Sequence, residues 1–358
     1  MVISRTPFRI SFFGGGTDYP AWYKNHGGSV LATTINKYCY INVRYLPPFF
    51  GDKYRIAYSK IESCKAIDEI SHPSVREVIK FLKIEKGLEI HHDGDLPARS
   101  GLGSSSAFTV GLLNALYALQ GKMPNKHQLA TESIYLEQEV LKEAVGSQDQ
   151  MLAAHGGFKH FTFHNDSHIS VEPITLSPAR IEELEDHLML FYTGIVRTAS
   201  NIAKSYATPV NSQKRQLRIM QDMVDEAIAI LSSSQEIKGF GELMEEAWQL
   251  KKSLSSIVSN NSIDEIYQAA RDSGATGGKI IGAGGGGFLL LFVPPNRQKF
   301  VREKLQKLLY VPFKFEGGGS QIIFYDQQED YTINTVKSKK SNGLAKTKKG
   351  INLYEKVT

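Results

Sequence analysis

The chain has little cysteine and no long apolar run. Its 358 residues include only two cysteines, Cys39 and Cys64, which are too few for a disulfide scaffold and do not form a C-x-x-C pair. No apolar stretch approaches the roughly 20 residues that a membrane-spanning helix requires. The first residues also lack the charged start and long apolar middle of a signal peptide. These absences predict a cytoplasmic globular protein with no membrane partner.

Several well-known chemical motifs are also missing. The sequence contains neither an H-E-x-x-H zinc signature nor a G-x-S-x-G nucleophile elbow. No Gly-Lys pair is followed by Ser or Thr, so the P-loop pattern fails as well. The histidines are not spaced to share one metal ion. Any nucleotide or metal chemistry must therefore rest on other residues.

Positive charge is concentrated at one end of the chain. The formal net charge is +5, but residues 331–358 hold seven lysines and one glutamate, so the rest of the chain is close to neutral. A nucleic-acid-binding domain would carry its basic residues on a folded face. We interpret this stretch as a solvated basic tail, with a docking tail as the alternative, and we expect no nucleic-acid partner.

Length and composition allow two folded domains. Hydrophobic residues make up 41% and charged residues 22% of the chain, which is typical of globular proteins. The composition changes around Pro173 and Pro178. We place one domain at 1–180, a second at 181–330 and the tail at 331–358. Strands dominate the first 50 residues and a long helix is predicted at about 125–143, whereas strands and helices alternate after 188 in a pattern that suggests a split βαβ unit.

The 31 glycines cluster where chemistry is expected. One cluster lies in the stretch Ser100-Gly-Leu-Gly-Ser-Ser-Ser106, between a predicted strand and an apolar helix that begins near Ala107. The unpaired N–H groups and the positive dipole end of a helix N-terminus attract anions. The stretch therefore predicts either a phosphate-binding turn or an ordinary capped loop.

Two further glycine clusters flank this stretch in the sequence. Gly14-Gly-Gly16 precedes Thr17 and Asp18, which place a hydroxyl and a carboxylate at the exit of a sharp turn. A second run, from Gly282 to Gly287, formally matches G-x-G-x-x-G. A strand rather than a helix follows it, so we reject the dinucleotide fingerprint. Close backbone packing and proximity to a phosphate or sugar remain the alternatives there.

Two carboxylates carry alternative interpretations. Asp149 follows Gly146-Ser-Gln, where a lone aspartate is usually a helix cap. Glu137 lies in the predicted long helix, where a glutamate usually faces solvent. Neither residue identifies a site by itself.

Taken in order, the three glycine clusters resemble the motifs of the GHMP kinase family. The matching segments run from Thr6 to Tyr19, from Pro97 to Ala107 and from Lys279 to Phe288. The resemblance implies an α+β, two-domain architecture, with an N-terminal domain like ribosomal S5 domain 2 and a ferredoxin-like C-terminal domain. It also implies an ATP-dependent phosphotransferase that uses an alcohol group as acceptor.

The resemblance assigns the nucleotide and metal residues. The central loop is similar to the family's triphosphate cradle, which implies ATP binding by Ser100, Gly101, Leu102, Gly103, Ser104, Ser105 and Ser106. Ser105 and Glu137 are the expected Mg²⁺ ligands, because Glu137 precedes Asp149 by the twelve residues seen in galactokinase-like members. ATP and Mg²⁺ are thus the expected cofactors.

The resemblance also assigns catalytic and acceptor-binding residues. Asp149 matches the family's catalytic base, and Arg9 matches a position where the family carries Lys or Arg near the transferring phosphoryl group. Asp18 matches an acid that binds sugar hydroxyls. The expected acceptor-binding residues are Gly15, Gly16, Thr17, Asp18, Arg197, Lys279, Gly284 and Gly285.

One departure from galactokinase bears on the acceptor. Gly15-Gly16 stands where galactokinase has Glu-His, which implies a roomier pocket. Together with Tyr192-Thr-Gly-Ile-Val-Arg-Thr-Ala-Ser200, this segment resembles the bacterial heptose 7-phosphate kinases of the family. The implied acceptor is the anomeric hydroxyl of D-glycero-D-manno-heptose 7-phosphate, for nucleotide-activated heptose and surface polysaccharide synthesis. Arg197 and Lys279 are the candidates for binding its 7-phosphate.

Other functions stay open on the sequence. A fucokinase-like or galactokinase-like 1-kinase would use the same motifs. A non-catalytic sugar sensor on this scaffold is the second class, although Arg9, Glu137 and Asp149 all favour catalysis. A homodimer is possible.

Overall fold

The computed structural model describes residues 1–98, 100–195 and 211–326. Arg197 and the basic tail lie outside these ranges. The strands are β1 (Val2–Phe13), β2 (Gly28–Tyr45), β3 (Tyr54–Ala57), β4 (Ile61–Cys64), β5 (Leu88–Gly94), β6 (Phe158–Phe163), β7 (Ile169–Pro173), β8 (Leu188–Tyr192), β9 (Gly277–Ile280), β10 (Phe288–Phe292), β11 (Leu309–Tyr310), β12 (Phe315–Glu316) and β13 (Gln321–Tyr325). The α-helices are α1 (Pro20–His26), α2 (Pro73–Phe81), α3 (Ser104–Leu119), α4 (Lys126–Tyr135), α5 (Gln148–His155), α6 (Pro178–His187), α7 (Asn211–Ser232), α8 (Lys238–Leu254), α9 (Asn261–Asp272) and α10 (Gln298–Lys304).

The larger sheet forms around one long hairpin. β1 and β2 pair antiparallel along almost their whole length, from Val2 opposite Val43 to Phe13 opposite Leu31. The nine-stranded sheet runs in the order β13-β1-β2-β5-β3-β4, β12 and β6 also pair with β2, and β7 pairs with β6. β2 is 18 residues long and is rich in β-branched and aromatic residues on both sides of Asn36 and Lys37.

Helix α3 covers the centre of this sheet. Its sixteen residues are almost all apolar or small, and those from Ser106 to Tyr117 are buried. Gly111 allows close approach to β1, since a Cβ atom there would lie 2.8 Å from the Thr6 hydroxyl oxygen. The hydroxyl of Ser4 donates to the carbonyl oxygen of Gly111 at 2.8 Å. The middle of α3 is therefore packed closely against β1, which carries Arg9.

A smaller sheet forms the second half of the molecule. It has four strands in the order β11-β8-β10-β9, in which β10 pairs antiparallel with both β8 and β9. α8 packs on this sheet and buries a stripe of residues at helical spacing that includes Phe240, Met244 and Trp248. The strand and helix alternation predicted after residue 188 is thus observed.

The chain differs from the sequence-based boundaries in two places. β12 and β13 return to the larger sheet, where β13 pairs with β1 and β12 with β2, although the sequence assigns residues 315–325 to the second domain. The physical reason is that the edge of β1 offers free ladder groups which a distant strand can pair. The helix expected at about 125–143 ends as α4 at Tyr135 and continues as a π-helical turn, Leu136–Val140.

Within the described ranges, no helix combines the length and apolarity needed to cross a membrane.

Candidate active site

The central loop turns sharply into the N-terminus of α3. Gly101 and Gly103 adopt φ angles of 86° and 75°, in the left-handed region that favours glycine. Ser104, Ser105 and Ser106 form the first turn of α3. Their backbone N–H groups belong to the first turn, which has no intrahelical acceptors. The predicted anion-binding geometry is present at this position.

The third glycine cluster packs directly against this loop. A Cβ atom on Gly101 would overlap the carbonyl oxygen of Ile281, and one on Gly282 would lie 2.6 Å from the Cα atom of Gly101. A Cβ atom on Gly287 would overlap the carbonyl oxygen of Ser100. Close backbone packing therefore explains Gly282 and Gly287, and this packing joins the smaller sheet to the loop.

Gly284 and Gly285 contact a different segment. The N–H group of Gly285 donates to the carbonyl oxygen of Val258 at 2.7 Å. A Cβ atom on Gly284 would lie 2.7 Å from the same oxygen. The structure thus places the backbone of these two predicted acceptor-binding residues against Val258.

Arg9 and Asp149 form a bidentate ion pair beside the loop. The Arg9 Nε and Nη2 atoms donate to the two carboxylate oxygens of Asp149 at 2.7 and 2.5 Å. Nη1 of Arg9 donates to the carbonyl oxygen of Gly101 at 2.5 Å, and its backbone N–H donates to Leu102 at 3.1 Å. The Arg9 side chain is 6% exposed and that of Asp149 is 23% exposed. Asp149 is therefore the partner that an incoming substrate can reach.

The first glycine cluster holds Asp18 next to this pair. Its carboxylate accepts hydrogen bonds from the Gly16 N–H at 2.9 Å and from the Gln148 side-chain amide at 3.0 Å. Asp18 is 1% exposed. Burial, and then the negative charge of Asp149, raise the pKa of the Asp18 carboxyl. The two carboxylates therefore lie close enough to repel each other, and Asp149 is also paired with Arg9.

Gly15 and Gly16 have different roles in that turn. Gly16 adopts a φ angle of 105°, which requires glycine. At Gly15 a Cβ atom would make only ordinary van der Waals contacts, at 3.8 Å from the Gln148 side-chain nitrogen and the Ser11 hydroxyl oxygen, so glycine is not required there. Thr17 is fully buried, and its hydroxyl bonds within the fold to the carbonyl oxygens of Gly14 and Ser29. Thr17 thus stabilises the turn.

Glu137 is buried beside the start of α3. Its Oε2 atom accepts hydrogen bonds from the Ser106 hydroxyl at 2.9 Å and from the Gln150 amide at 2.5 Å. Among the described residues, its Oε1 atom is buried and makes no hydrogen bond of ordinary geometry, although the Thr109 hydroxyl is near enough to oppose the rise in the carboxyl's pKa. Burial raises the pKa of Glu137 to about 7. Glu139, two residues further, is exposed and pairs with Lys142.

The serine next to Glu137 is not the one expected. Ser106 makes the contact, whereas Ser105 is exposed in the first turn of α3. The described residues contain no group of three or more His, Cys, Asp or Glu side chains that could hold a metal ion. Mg²⁺ bound with substrate phosphates needs only one or two protein oxygen ligands. The unpaired Oε1 atom of Glu137 and a neighbouring serine hydroxyl fit that requirement.

Two lysines of the second half reach the same region. Lys279, predicted from the sequence, is 5% exposed and donates to the carbonyl oxygen of Phe12 at 2.7 Å. Lys251, in α8, is 6% exposed and donates to the carbonyl oxygen of Gly282. Burial lowers the pKa of both ammonium groups, and nearby positive charges, including that of Arg9, lower it further. The charges of Lys251, Lys279 and Arg9 therefore act on one another.

Sequence reasoning missed Lys251, Gln148 and Gln150. Lys251 continues the buried stripe of α8, at positions 240, 244, 247, 251 and 254. A lysine on an apolar stripe is the signal that would have identified it. Gln148 and Gln150 flank Asp149 and contact Asp18 and Glu137 respectively. No local pattern distinguishes them from ordinary helix residues.

Two family profiles match the chain. The GHMP kinases N terminal domain matches residues 73–157, which contain the central loop, Glu137 and Asp149. The GHMP kinases C terminal profile matches residues 229–311, which contain α8, Lys279 and the third glycine cluster. The two matches agree with the two-domain α+β fold expected from the motif order.

Two curated relatives match most of the chain. D-glycero-alpha-D-manno-heptose 7-phosphate kinase of Campylobacter jejuni is 29% identical over 315 residues, covering 85% of this chain and 93% of the relative. A bifunctional fucokinase/GDP-fucose pyrophosphorylase of Arabidopsis thaliana is 26% identical and covers 84% of this chain, but this chain spans only 31% of that longer protein.

A solved structure has the same fold. The crystal structure of a D-glycero-D-manno-heptose 1-phosphate kinase from Bacteroides thetaiotaomicron superposes with a TM-score of 0.75 at 23% identity. The match covers 91% of this chain and all of that chain. At this identity the likeness establishes the fold.

Proposed function

The chain belongs to the GHMP kinase family, and from that premise we propose that it phosphorylates the anomeric hydroxyl of D-glycero-D-manno-heptose 7-phosphate. The phosphoryl donor is ATP, and the products are the 1,7-bisphosphate and ADP. The observation that carries the proposal is the bidentate pair of Arg9 and Asp149, held against the phosphate-binding turn at Gly101. The identity of the sugar is supported by the Campylobacter jejuni relative.

Asp149 is the proton acceptor in this reaction. Its carboxylate takes the proton of the C1 hydroxyl as that oxygen forms a bond to the γ-phosphorus atom. The bond between the γ-phosphorus and the bridging oxygen of ADP breaks, and its electron pair leaves with ADP. Arg9 orients Asp149 through two hydrogen bonds and keeps a positive charge beside the transferring group.

The central loop and Glu137 serve the nucleotide. The N–H groups in the first turn of α3 and the hydroxyls of Ser104 to Ser106 bind its phosphate oxygens. When bound, Mg²⁺ would supply positive charge that offsets the charge of the nucleotide phosphates. Glu137, through its Oε1 atom, and Ser105 or Ser106 would hold that ion. Ser106 is the better candidate for Glu137's partner because its hydroxyl already contacts the carboxylate.

The glycine turn serves the acceptor. The absence of a side chain at Gly15 leaves more room beside the turn and favours an acceptor larger than galactose, and the Asp18 carboxylate in that turn accepts hydrogen bonds from hydroxyl groups. Gly16 keeps the backbone conformation that presents Asp18. Arg197, Gly284 and Gly285 remain acceptor-binding predictions, as do a cytoplasmic location and a homodimer.

A coupled ADP-release assay tests the activity. Heptose 7-phosphate, L-fucose, D-galactose and mevalonate are compared as acceptors, and we expect the highest kcat/KM with heptose 7-phosphate. Asp149→Asn should lower kcat by roughly 10²- to 10⁴-fold, since it removes the proton acceptor and leaves the nucleotide site intact. Asp166→Asn, in an exposed turn, is the matched control and should retain activity.

Two outcomes of this assay oppose the proposal. Faster turnover of fucose or galactose would favour another sugar 1-kinase, the second candidate, to which the fucokinase relative points. No ADP release with any sugar, together with tight sugar binding by calorimetry, would favour a non-catalytic sensor.

A further inference from the structure

Lys251 and Lys279 come from separate elements, and both side chains end near the last residues of β9 and the turn that follows it. Lys251 projects from the C-terminal half of α8 and Lys279 from β9. Each side chain is about nineteen-twentieths buried and makes one hydrogen bond to a backbone carbonyl, of Gly282 and Phe12 respectively. An ammonium group has three N–H donors, so each keeps donors beyond that bond.

The two ammonium groups lack a carboxylate partner. Within the described ranges, no Asp or Glu oxygen lies within ion-pair distance of either Nζ atom. The charge of Lys251 lowers the pKa of Lys279 after the larger effect of burial. The pKa of Lys251 falls to about 8, and only Asp18 opposes this shift. Burying two cations side by side is costly without a counter-ion.

The position of the pair favours the acceptor. Lys279 bonds to Phe12, two residues before the glycine turn that presents Asp18. Lys251 bonds to the carbonyl oxygen of Gly282, three residues after Lys279, so both ammonium groups lie at the same end of β9. The nucleotide phosphates have their own cradle at the start of α3. A second anionic group, on the acceptor, is the counter-ion that this geometry can take.

We propose that Lys251 and Lys279 together bind the non-reacting phosphate of the acceptor and thereby select sugar phosphates over neutral sugars. This inference rests on the proposed phosphotransferase function and adds the basis of its specificity. Arg9 is already paired with Asp149, so these two lysines supply the charge for the dianion. Lys251 is the residue that this proposal adds to the acceptor site, because it belongs to a helix that carries none of the three glycine motifs.

Substitutions of the two lysines test the proposal. Lys251→Met and Lys279→Met keep most of the aliphatic stem and remove the charge. We expect each to lower kcat/KM for heptose 7-phosphate about 10- to 100-fold, the usual effect of losing a hydrogen bond to a charged group. The kcat/KM for unphosphorylated D-glycero-D-manno-heptose and the KM for ATP should change less than threefold. Lys238→Met, on the exposed face of α8, is the matched control.

Equal losses with both sugars, a rise confined to the KM for ATP, or no change would each overturn the proposal. Thermal unfolding separates a structural role from a binding role. Removing an uncompensated buried charge should leave Tm unchanged or raise it, whereas lysines that only bridge the two halves would lower Tm when substituted. If a methionine variant fails to fold, Lys251→Gln and Lys279→Gln replace it in the same comparison.

A binding experiment keeps the inference separate from the proposed reaction. Inorganic phosphate is titrated by calorimetry into the wild type and both variants, each saturated with ADP and Mg²⁺ so that the nucleotide cradle is filled. We expect the wild type to bind phosphate at least tenfold more tightly than either variant. If the wild type turns over no sugar but shows this difference, the proposed reaction fails and the lysine site stands. Equal phosphate binding by all three proteins would reject the lysine site even if heptose 7-phosphate is a substrate.

Discussion

Each charged side chain of the site makes hydrogen bonds to its own set of partners. Arg9 has Asp149, Asp18 has the Gln148 amide and a backbone N–H, and Glu137 has Ser106 and Gln150. Among the site's carboxylates, which all belong to the described residues, Glu137 keeps a buried oxygen without a hydrogen-bond partner. A metal ion bound to this oxygen would supply both the missing partner and a balancing positive charge.

Glu137→Gln should weaken activation by Mg²⁺. We expect the concentration of Mg²⁺ at half-maximal activity to rise about 10- to 100-fold, because a neutral amide oxygen is a weaker ligand for a hard cation. Without metal, the variant should be more stable than the wild type above pH 7. The raised pKa of Glu137 means that the folded state binds a proton which the unfolded state releases between pH 4.5 and about 7, so the wild type loses stability across this range as pH rises.

Titration of activity against Mg²⁺, together with urea denaturation in EDTA at pH 8, measures both effects. Glu139→Gln is the matched control, since Glu139 lies in the same π-helical turn but is exposed. An unchanged Mg²⁺ dependence in Glu137→Gln would remove Glu137 from the metal site.

Secondary-structure elements bring these residues together through glycine contacts. The loop that leads into α3 packs at Gly101 against Ile281 and Gly282. The residue before α5, Ser147, donates its N–H to the carbonyl oxygen of Asp18 in the glycine turn. The π-helical turn after α4 carries Glu137 inward and Glu139 outward. π-bulges are common at functional sites because they change the direction of a side chain without ending the helix.

Gly146→Ala should disrupt the acceptor site more than the nucleotide site. A Cβ atom at Gly146 would overlap the Asp18 carboxylate, with its Cγ atom at 2.5 Å. The carboxylate must move away from Gln148, so we expect kcat/KM for the sugar to fall about 100-fold and stability to fall by about 1–3 kcal/mol. The KM for ATP should change far less.

Steady-state kinetics with each substrate varied in turn, together with urea denaturation, checks this result. Gly51→Ala is the control, because a Cβ atom there meets nothing within 4 Å. A variant with wild-type sugar kinetics would show that the position of Asp18 does not matter for the acceptor.

At the scale of the whole molecule, the first and last of the described strands are neighbours in one sheet. β13 pairs with β1, and the segment before it docks on the end of α5, where Ser320 N–H donates to Ala153 at 2.9 Å. Lys126 joins this junction by donating to the carbonyl oxygens of His155 and Gly318. His155 lies within it, and burial, followed by the charges of His127, Lys126 and Lys159, lowers its pKa to about 4.

This junction should make the protein sensitive to acid. Between pH 6.5 and about 4 the unfolded state binds a proton at His155 that the folded state does not, so stability falls as pH falls through this window. His155→Gln removes this contribution, and its urea midpoint should fall less between pH 7 and pH 5 than that of the wild type. His168→Gln, in an exposed turn, should show the same change in urea midpoint between pH 7 and pH 5 as the wild type. An identical change in urea midpoint with pH for the wild type and His155→Gln would show that protonation of His155 is not coupled to unfolding.

Much of the architecture follows from local features of the sequence. Glycines at 101 and 103, followed by serines and an apolar helix, predict a turn with exposed N–H groups, because φ preference and the helix dipole act over a few residues. The motif order identifies the family, and the family profiles confirm that assignment. The resemblance to that family also implied the two-domain α+β fold, which is confirmed.

Tertiary structure alone decided which charges meet. Arg9 and Asp149 are 140 residues apart, and Lys251 joins them from a helix whose sequence is otherwise an ordinary amphipathic stripe. The choice of Ser106 over Ser105 at Glu137 depends on how α3 rotates against the π-helical turn. The return of β12 and β13 to the first sheet is likewise a matter of which strand edge is free. Local pattern predicts conformation, but pairing and burial of distant charges depend on packing that no short segment encodes.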